Sequence, residues 1–170
     1  MSIDLTIRPE LDRDDVATGN IIRAAFSGMP YADGDEAELV EALRRENALS
    51  VSLVAELAGT VIGQIAFSPA MASDGTPGWY ALGPVAVLPA YQGAGVGSAL
   101  VRAGLQAITE LGAYGCILVG NPAYYVRFGF ELSPWNAPAG EPAEFFMVKL
   151  FGQRQPQGPV SFHAAFSSTV

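Results

Sequence analysis

The sequence predicts an α/β (α+β) fold, a mixed central sheet with helices on both faces. Three observations point there. β-rich runs separated by turn residues occupy the first half, and a strand–helix–strand unit that needs a crossover comes after it. In addition, 170 residues at 50% hydrophobic content can bury a single core without disulfides or metals.

Leu5-Thr6-Ile7-Arg8 reads as the first strand. Over residues 14–26, Val16, Ile21, Ile22 and Phe26 give a helix one apolar face. The glycine- and proline-bearing stretch 28–34 ends it. Asp35, with Glu38 three residues later, has the form of a capping box for a second helix striped by Leu39, Val40 and Leu43. Residues 51–57 and 61–68 flank Ala58-Gly59-Thr60 as a hairpin, and 69–77 reads as a loop. The apolar run 79–88 suits a strand buried on both faces. Leu100, Val101, Leu105 and Ile108 set helical spacing from the glycine-rich 93–97 to about Leu111, with Gly112 as the stop. Residues 115–119 form another buried strand, and Asn121-Pro122 fits a helix entry. Strands are expected from Gly129-Phe130 and over 145–151, and the tail 152–170 offers one short candidate at 160–166. No repeat or linker divides the chain, so residues 1–170 are expected to form one domain.

The formal charge of −8 and pI near 4.5 repel a phosphodiester backbone, so nucleic acid is excluded as a partner. They tolerate a cationic substrate, although solubility accounts for the same charge. Cys116, the only cysteine, lies in an apolar run and reads as a small buried hydrophobe. The N-terminus lacks the pattern of a signal peptide and no apolar run reaches the ~20 residues of a membrane helix, so a cytoplasmic protein without a membrane partner is expected.

Gln92-Gly93-Ala94-Gly95-Val96-Gly97-Ser98 stands between a buried strand and an amphipathic helix. Missing side chains let a ligand approach the backbone there, and the N–H groups of a helix start can hold an anion such as a pyrophosphate. A tight turn needing positive φ explains the same glycines. No Gly-Lys-Ser/Thr follows, and the spacing is not a dinucleotide fingerprint.

With its context, Gln92-x-x-Gly95-x-Gly97 resembles the Q/R-x-x-G-x-G/A signature of the GNAT (GCN5-related N-acetyltransferase) family. A strand ending in Val85-Ala86-Val87 precedes it, and Asn121, Tyr125, Gly129 and Phe130 resemble the family's second motif. Leu82-Gly83-Pro84-Val85 and Tyr124-Tyr125-Val126-Arg127-Phe128 are similar to a small bacterial subgroup. The resemblance implies a splayed sheet whose gap admits acetyl-CoA as co-substrate, with no metal. It implies that the main chain of Val85 and Val87, with Ala86 between them, bonds the acetyl and pantetheine amides, and that residues 93–98 cradle the pyrophosphate with Gln92 at the start of the turn. Asn121 would bond the pantetheine arm or simply cap its helix. Tyr125 would protonate the departing thiolate, with Tyr124 as its neighbouring competitor. Adjacent helical residues point about 100° apart, so both cannot face the sulfur equally. The family's acceptors imply an amine on a small molecule or a protein, and a homodimer is compatible. The strand 79–88 carries no acid, so the base is expected to be ordered water, Glu36 or Glu38, with His163 a further candidate; capping and surface charge are the favoured reading of these side chains. A CoA-binding sensor or scaffold without turnover is the alternative.

Overall fold

The computed structural model describes residues 4–29, 34–152 and 155–167. Strand β1 (Leu5–Pro9) is followed by helices α1 (Asp15–Phe26) and α2 (Glu36–Arg45), then β2 (Val51–Leu57), β3 (Thr60–Ala72) and β4 (Trp79–Val87). Helix α3 (Val96–Glu110), β5 (Gly115–Val119), the short α4 (Pro122–Tyr125), β6 (Glu131–Leu132), β7 (Phe146–Leu150) and β8 (Val160–Ser161) complete the order. The sheet runs β1-β2-β3-β4-β5-β7-β6, with β8 paired to the far end of β3. Among the described residues only β4 and β5 pair in parallel, as the α3 crossover requires.

Helices cover both faces. On one, Leu100, Val101 and Ile108 of α3 pack on Ile65, Phe67, Leu82, Cys116 and Leu118. On the other, Ile21 and Ile22 of α1 and Val40 of α2 pack with Ala86. Gly104 sets how closely α3 approaches the sheet, since a Cβ there would lie 2.2 Å from the Phe67 ring. The ~1 kcal/mol that alanine normally gains over glycine inside a helix cannot offset such an overlap.

Three local expectations are corrected. Val16 is 70% exposed; Ile21 and Ile22 fix the rotation of α1, and its buried stripe is Thr18, Ile21, Ile22 and Ala25. Asp35 is the N-cap of α2 without a side-chain cap bond, because its ψ of 14° departs from the extended conformation that aims a capping carboxylate. Residues 69–72 are strand rather than loop: Pro69 and Ala70 pair with Tyr80 and Trp79, and Met71 and Ala72 pair with β8. The tail therefore extends the sheet.

The sheet opens between its parallel strands. Trp79, Tyr80 and Ala81 pair with Gly115, Cys116 and Ile117, and the ladder stops there. Beyond it, β4 carries a bulge against β3, where Ile65 faces Val85 and Phe67 faces Leu82. A bulge bends its strand and re-aims the residues on its far side. From Val85 on, β4 stays with β3 while β5 stays with β7 to Val119, leaving a wedge between them.

Candidate active site

One edge of the wedge is main chain. The Leu88 N–H donates to the Ile62 carbonyl at 2.9 Å, and the Ala86 carbonyl lies 3.2 Å from where a Gly63 Cβ would stand. Both therefore face β3. Strand alternation turns the main-chain groups of Val85 and Val87 the other way, into the wedge that β5 has vacated. The Val87 carbonyl is taken by Gln92, whose Nε2 donates to it at 2.9 Å and ties the glycine turn to the end of β4.

Gly95 is the N-cap of α3 at φ 86°, a left-handed conformation that side-chain-bearing residues resist. The space a Cβ would enter at Gly93 or Gly95 is open to 4 Å. The first intrahelical bond here runs from the Ala99 N–H to the Gly95 carbonyl at 3.0 Å, so the N–H groups of Val96, Gly97 and Ser98 precede the ladder and can meet an anion. Val96 contributes only main chain, because its side chain is buried in the core; Ala94 is exposed.

Helix α4 closes the α3 side. The Asn121 Oδ1 accepts from the Ala123 N–H at 3.0 Å, an N-cap, and Pro122 occupies the first turn. The Tyr124 and Tyr125 rings stand edge-on, 5.0 Å between centroids. The Tyr124 hydroxyl lies 3.3 Å from Ser98 Oγ, joining α4 to the start of α3. Tyr125 turns inward onto Phe128 and Phe130. Its ring covers Gly120, where a Cβ would come within 2.6 Å of it. Burial, followed by the neighbouring Tyr124 and Cys116, pushes the Tyr125 phenol up to about 12. One hydroxyl is thus engaged at the helix start, while the other ring is sunk against β5.

A cavity of about 250 Å³ meets the bulge of β4 and the end of β5 at Leu82, Gly83, Pro84 and Val119. Phe26, Leu39, Phe162 and Phe166 give it apolar walls; Asp35, Glu36 and Glu141 give it acidic ones. Of the candidate bases, Glu36 lines this cavity, whereas Glu38 is exposed on α2 and is not part of the wall. His163 is committed elsewhere: its Nδ1 accepts from the Ala165 N–H at 3.0 Å and lies 3.7 Å from Glu46. Sequence reasoning missed Glu141, Phe162 and Phe166, which reach the cavity from a proline-rich loop and the tail and carry no local motif. A groove of similar size, bordered by Gly129, Trp135 and Leu150, shares no residue with it.

Cys116 is buried, and burial pushes its thiol well above the usual range, which suits a core residue. Among the described residues no group of three or more His, Cys, Asp or Glu is placed to hold a metal, and no helix is long and apolar enough to cross a membrane.

Amide groups along an open strand edge, continuous with an anion-ready helix start, suit a long thioester carrier with a pyrophosphate in its middle; this is the architecture of acetyl-CoA-dependent N-acetyltransferases. The chain matches the Acetyltransferase (GNAT) family model over residues 18–130. It is 36% identical over 130 residues to the uncharacterized N-acetyltransferase YhbS of Escherichia coli K12, covering 76% of this chain and 75% of that one. The crystal structure of YhbS in complex with CoA superposes with a TM-score of 0.88 at 30% identity, covering 100% of this chain and 96% of that one. A GNAT family acetyltransferase from Brucella melitensis, in complex with acetyl-CoA, gives a TM-score of 0.85 at 43% identity, covering 97% and 99% of the two chains. The chain belongs to the GNAT acetyltransferase family.

Proposed function

We propose that this protein acetylates the primary amine of a compact small molecule with an apolar body, by direct attack on acetyl-CoA in a ternary complex. The observation that carries this reading is the cavity at the mouth of the wedge, where aromatic and aliphatic walls combine with three carboxylates. Apolar walls stabilise the body of such a ligand, and acidic ones favour its ammonium form. At about 250 Å³ the cavity lies near the lower end of small-molecule sites.

Acetyl-CoA supplies an acyl group activated as a thioester. The N–H groups of residues 93–98 hold its pyrophosphate, and the main chain of Val85 and Val87 aligns its arm along β4. An N–H on that edge, aimed at the thioester oxygen, stabilises the charge that develops there. An ammonium ion has no lone pair to attack with, so a proton must leave first. Glu36, directly or through water, accepts it. The nitrogen–carbon bond then forms, the nitrogen gives up its second proton to water, and the carbon–sulfur bond breaks. The Tyr125 hydroxyl donates to the departing sulfur, giving an amide and free CoA.

This assignment of Glu36 has a pH signature. With an arylalkylamine such as phenethylamine, Glu36→Gln is expected to lower kcat/KM by roughly 10²-fold near pH 7, where nearly all the amine is protonated. The deficit shrinks as pH rises and free amine becomes abundant. A profile parallel to wild type at every pH would remove Glu36 from proton transfer and leave it a wall residue.

A further inference from the structure

The chain's charge is unevenly distributed. Of its seventeen acidic residues, only Glu110 falls between positions 75 and 130, the stretch that builds β4, the glycine turn, α3, β5 and α4. Arg102 and Arg127 lie in the same stretch, so a protein of net charge −8 carries a locally positive segment beside its anion-binding turn. Among the described residues neither arginine forms an ion pair; each rests on an aromatic ring instead. The Arg127 guanidinium stands 4.7 Å from the centre of the Tyr124 ring. Tyr124 in turn reaches Ser98 in the first turn of α3, so Arg127 is one ring away from the turn. Arg102 lies one helical turn beyond Ser98 on the same face of α3, 4.9 Å over Phe128. Stacking fixes the plane of a guanidinium while leaving its N–H fork available for a phosphate.

We infer that Arg127, assisted by Arg102, forms a phosphomonoester subsite that binds the 3′-phosphate of CoA and lets the protein distinguish CoA from dephospho-CoA. The inference rests on CoA occupying the glycine turn. CoA carries, beyond its pyrophosphate, one further dianionic group on the adjoining ribose. The two guanidiniums stack on Tyr124 and Phe128, on the α4 side of α3 and beside the turn proposed to seat the pyrophosphate. A bidentate guanidinium–phosphate pair is a strong charge-assisted contact, and no acidic side chain of this stretch other than Glu110 competes for it.

Isothermal titration with CoA and dephospho-CoA tests this without turnover. Wild type is expected to bind CoA about 10–100-fold more tightly, with the ratio shrinking as salt is raised. Arg127→Gln should bring the ratio to within about threefold by weakening CoA alone; Arg102→Gln should reduce it less. Equal wild-type affinity for the two ligands would overturn the inference. So would an Arg127→Gln variant that weakens both alike, because the arginine would then serve only to support Tyr124. If wild type bound neither ligand, the CoA site itself would fall, an outcome distinct from loss of discrimination.

Discussion

Replacing Tyr125 with phenylalanine is expected to lower turnover by roughly 10²-fold while leaving acetyl-CoA affinity nearly unchanged. The substitution keeps the ring against Phe128, Phe130 and Gly120 and removes only the hydroxyl. The lower end of the range for a lost general acid follows from the environment. Burial raises this phenol to about 12, whereas a free thiol titrates near ~8.5. Handing the proton over completely is therefore uphill, and the role proposed for the hydroxyl is chiefly that of a hydrogen-bond donor to the charge developing on sulfur. The raised value also keeps the phenol protonated through the neutral range, so no limb of the pH profile below about pH 11 should belong to it. Tyr124→Phe is expected to cost only a few-fold, because that hydroxyl faces Ser98. Equal losses in the two variants would break the division of roles, and wild-type turnover in Tyr125→Phe would make the ring a packing element only.

Gly95→Asp should abolish the stabilisation that acetyl-CoA gives the folded protein. At 100 times its Kd a ligand contributes about 2.7 kcal/mol, which for a domain of this size corresponds to a Tm increase of roughly 5–10 °C. Apart from its chain neighbours no atom lies within 4 Å of a Cβ at this position, so the side chain can be housed, but it brings negative charge to the start of α3, the proposed seat of the pyrophosphate. The left-handed φ of 86° adds ~1 kcal/mol of strain for any side chain. Gly95→Ala separates the two effects: it should melt somewhat lower without ligand yet keep most of the shift. A folded Gly95→Asp protein with the full shift would move the binding site away from the turn.

Local patterns in the sequence carried most of the fold. Helical and strand periodicities located the elements, and Gln92-x-x-Gly95-x-Gly97 located the turn, because each is written in neighbouring residues. Where pairing with distant chain decided the outcome, local pattern failed. Residues 69–72 became strand because β4 and the tail strand β8 lie alongside them. Val16 sits on the exposed side of α1 because Ile21 and Ile22 make the stronger claim on the core. The same division holds for the candidate site. The glycine turn and the tyrosine pair could be read in sequence, but not which tyrosine turns inward, since that depends on Ser98 and Gly120. The acceptor-side cavity was the least legible part. Its walls come from α1, α2, the β4 bulge, a loop at Glu141 and the tail, and only their meeting in space gives it an acidic and aromatic character.

Free thiol reports turnover, the transfer of acetyl from CoA to an amine, without an intermediary. Wild-type protein mixed with acetyl-CoA and a panel of amines should release CoA thiol only when an acceptor is present, and fastest with compact amines carrying an aromatic or branched apolar group. Release should fall by roughly 10²-fold in Tyr125→Phe. If acetyl-CoA raises the Tm of the wild type yet no small-molecule or protein amine in the panel produces thiol above the rate without acceptor, the protein is no acetyltransferase toward such amines and binds acetyl-CoA as a sensor or scaffold instead of consuming it.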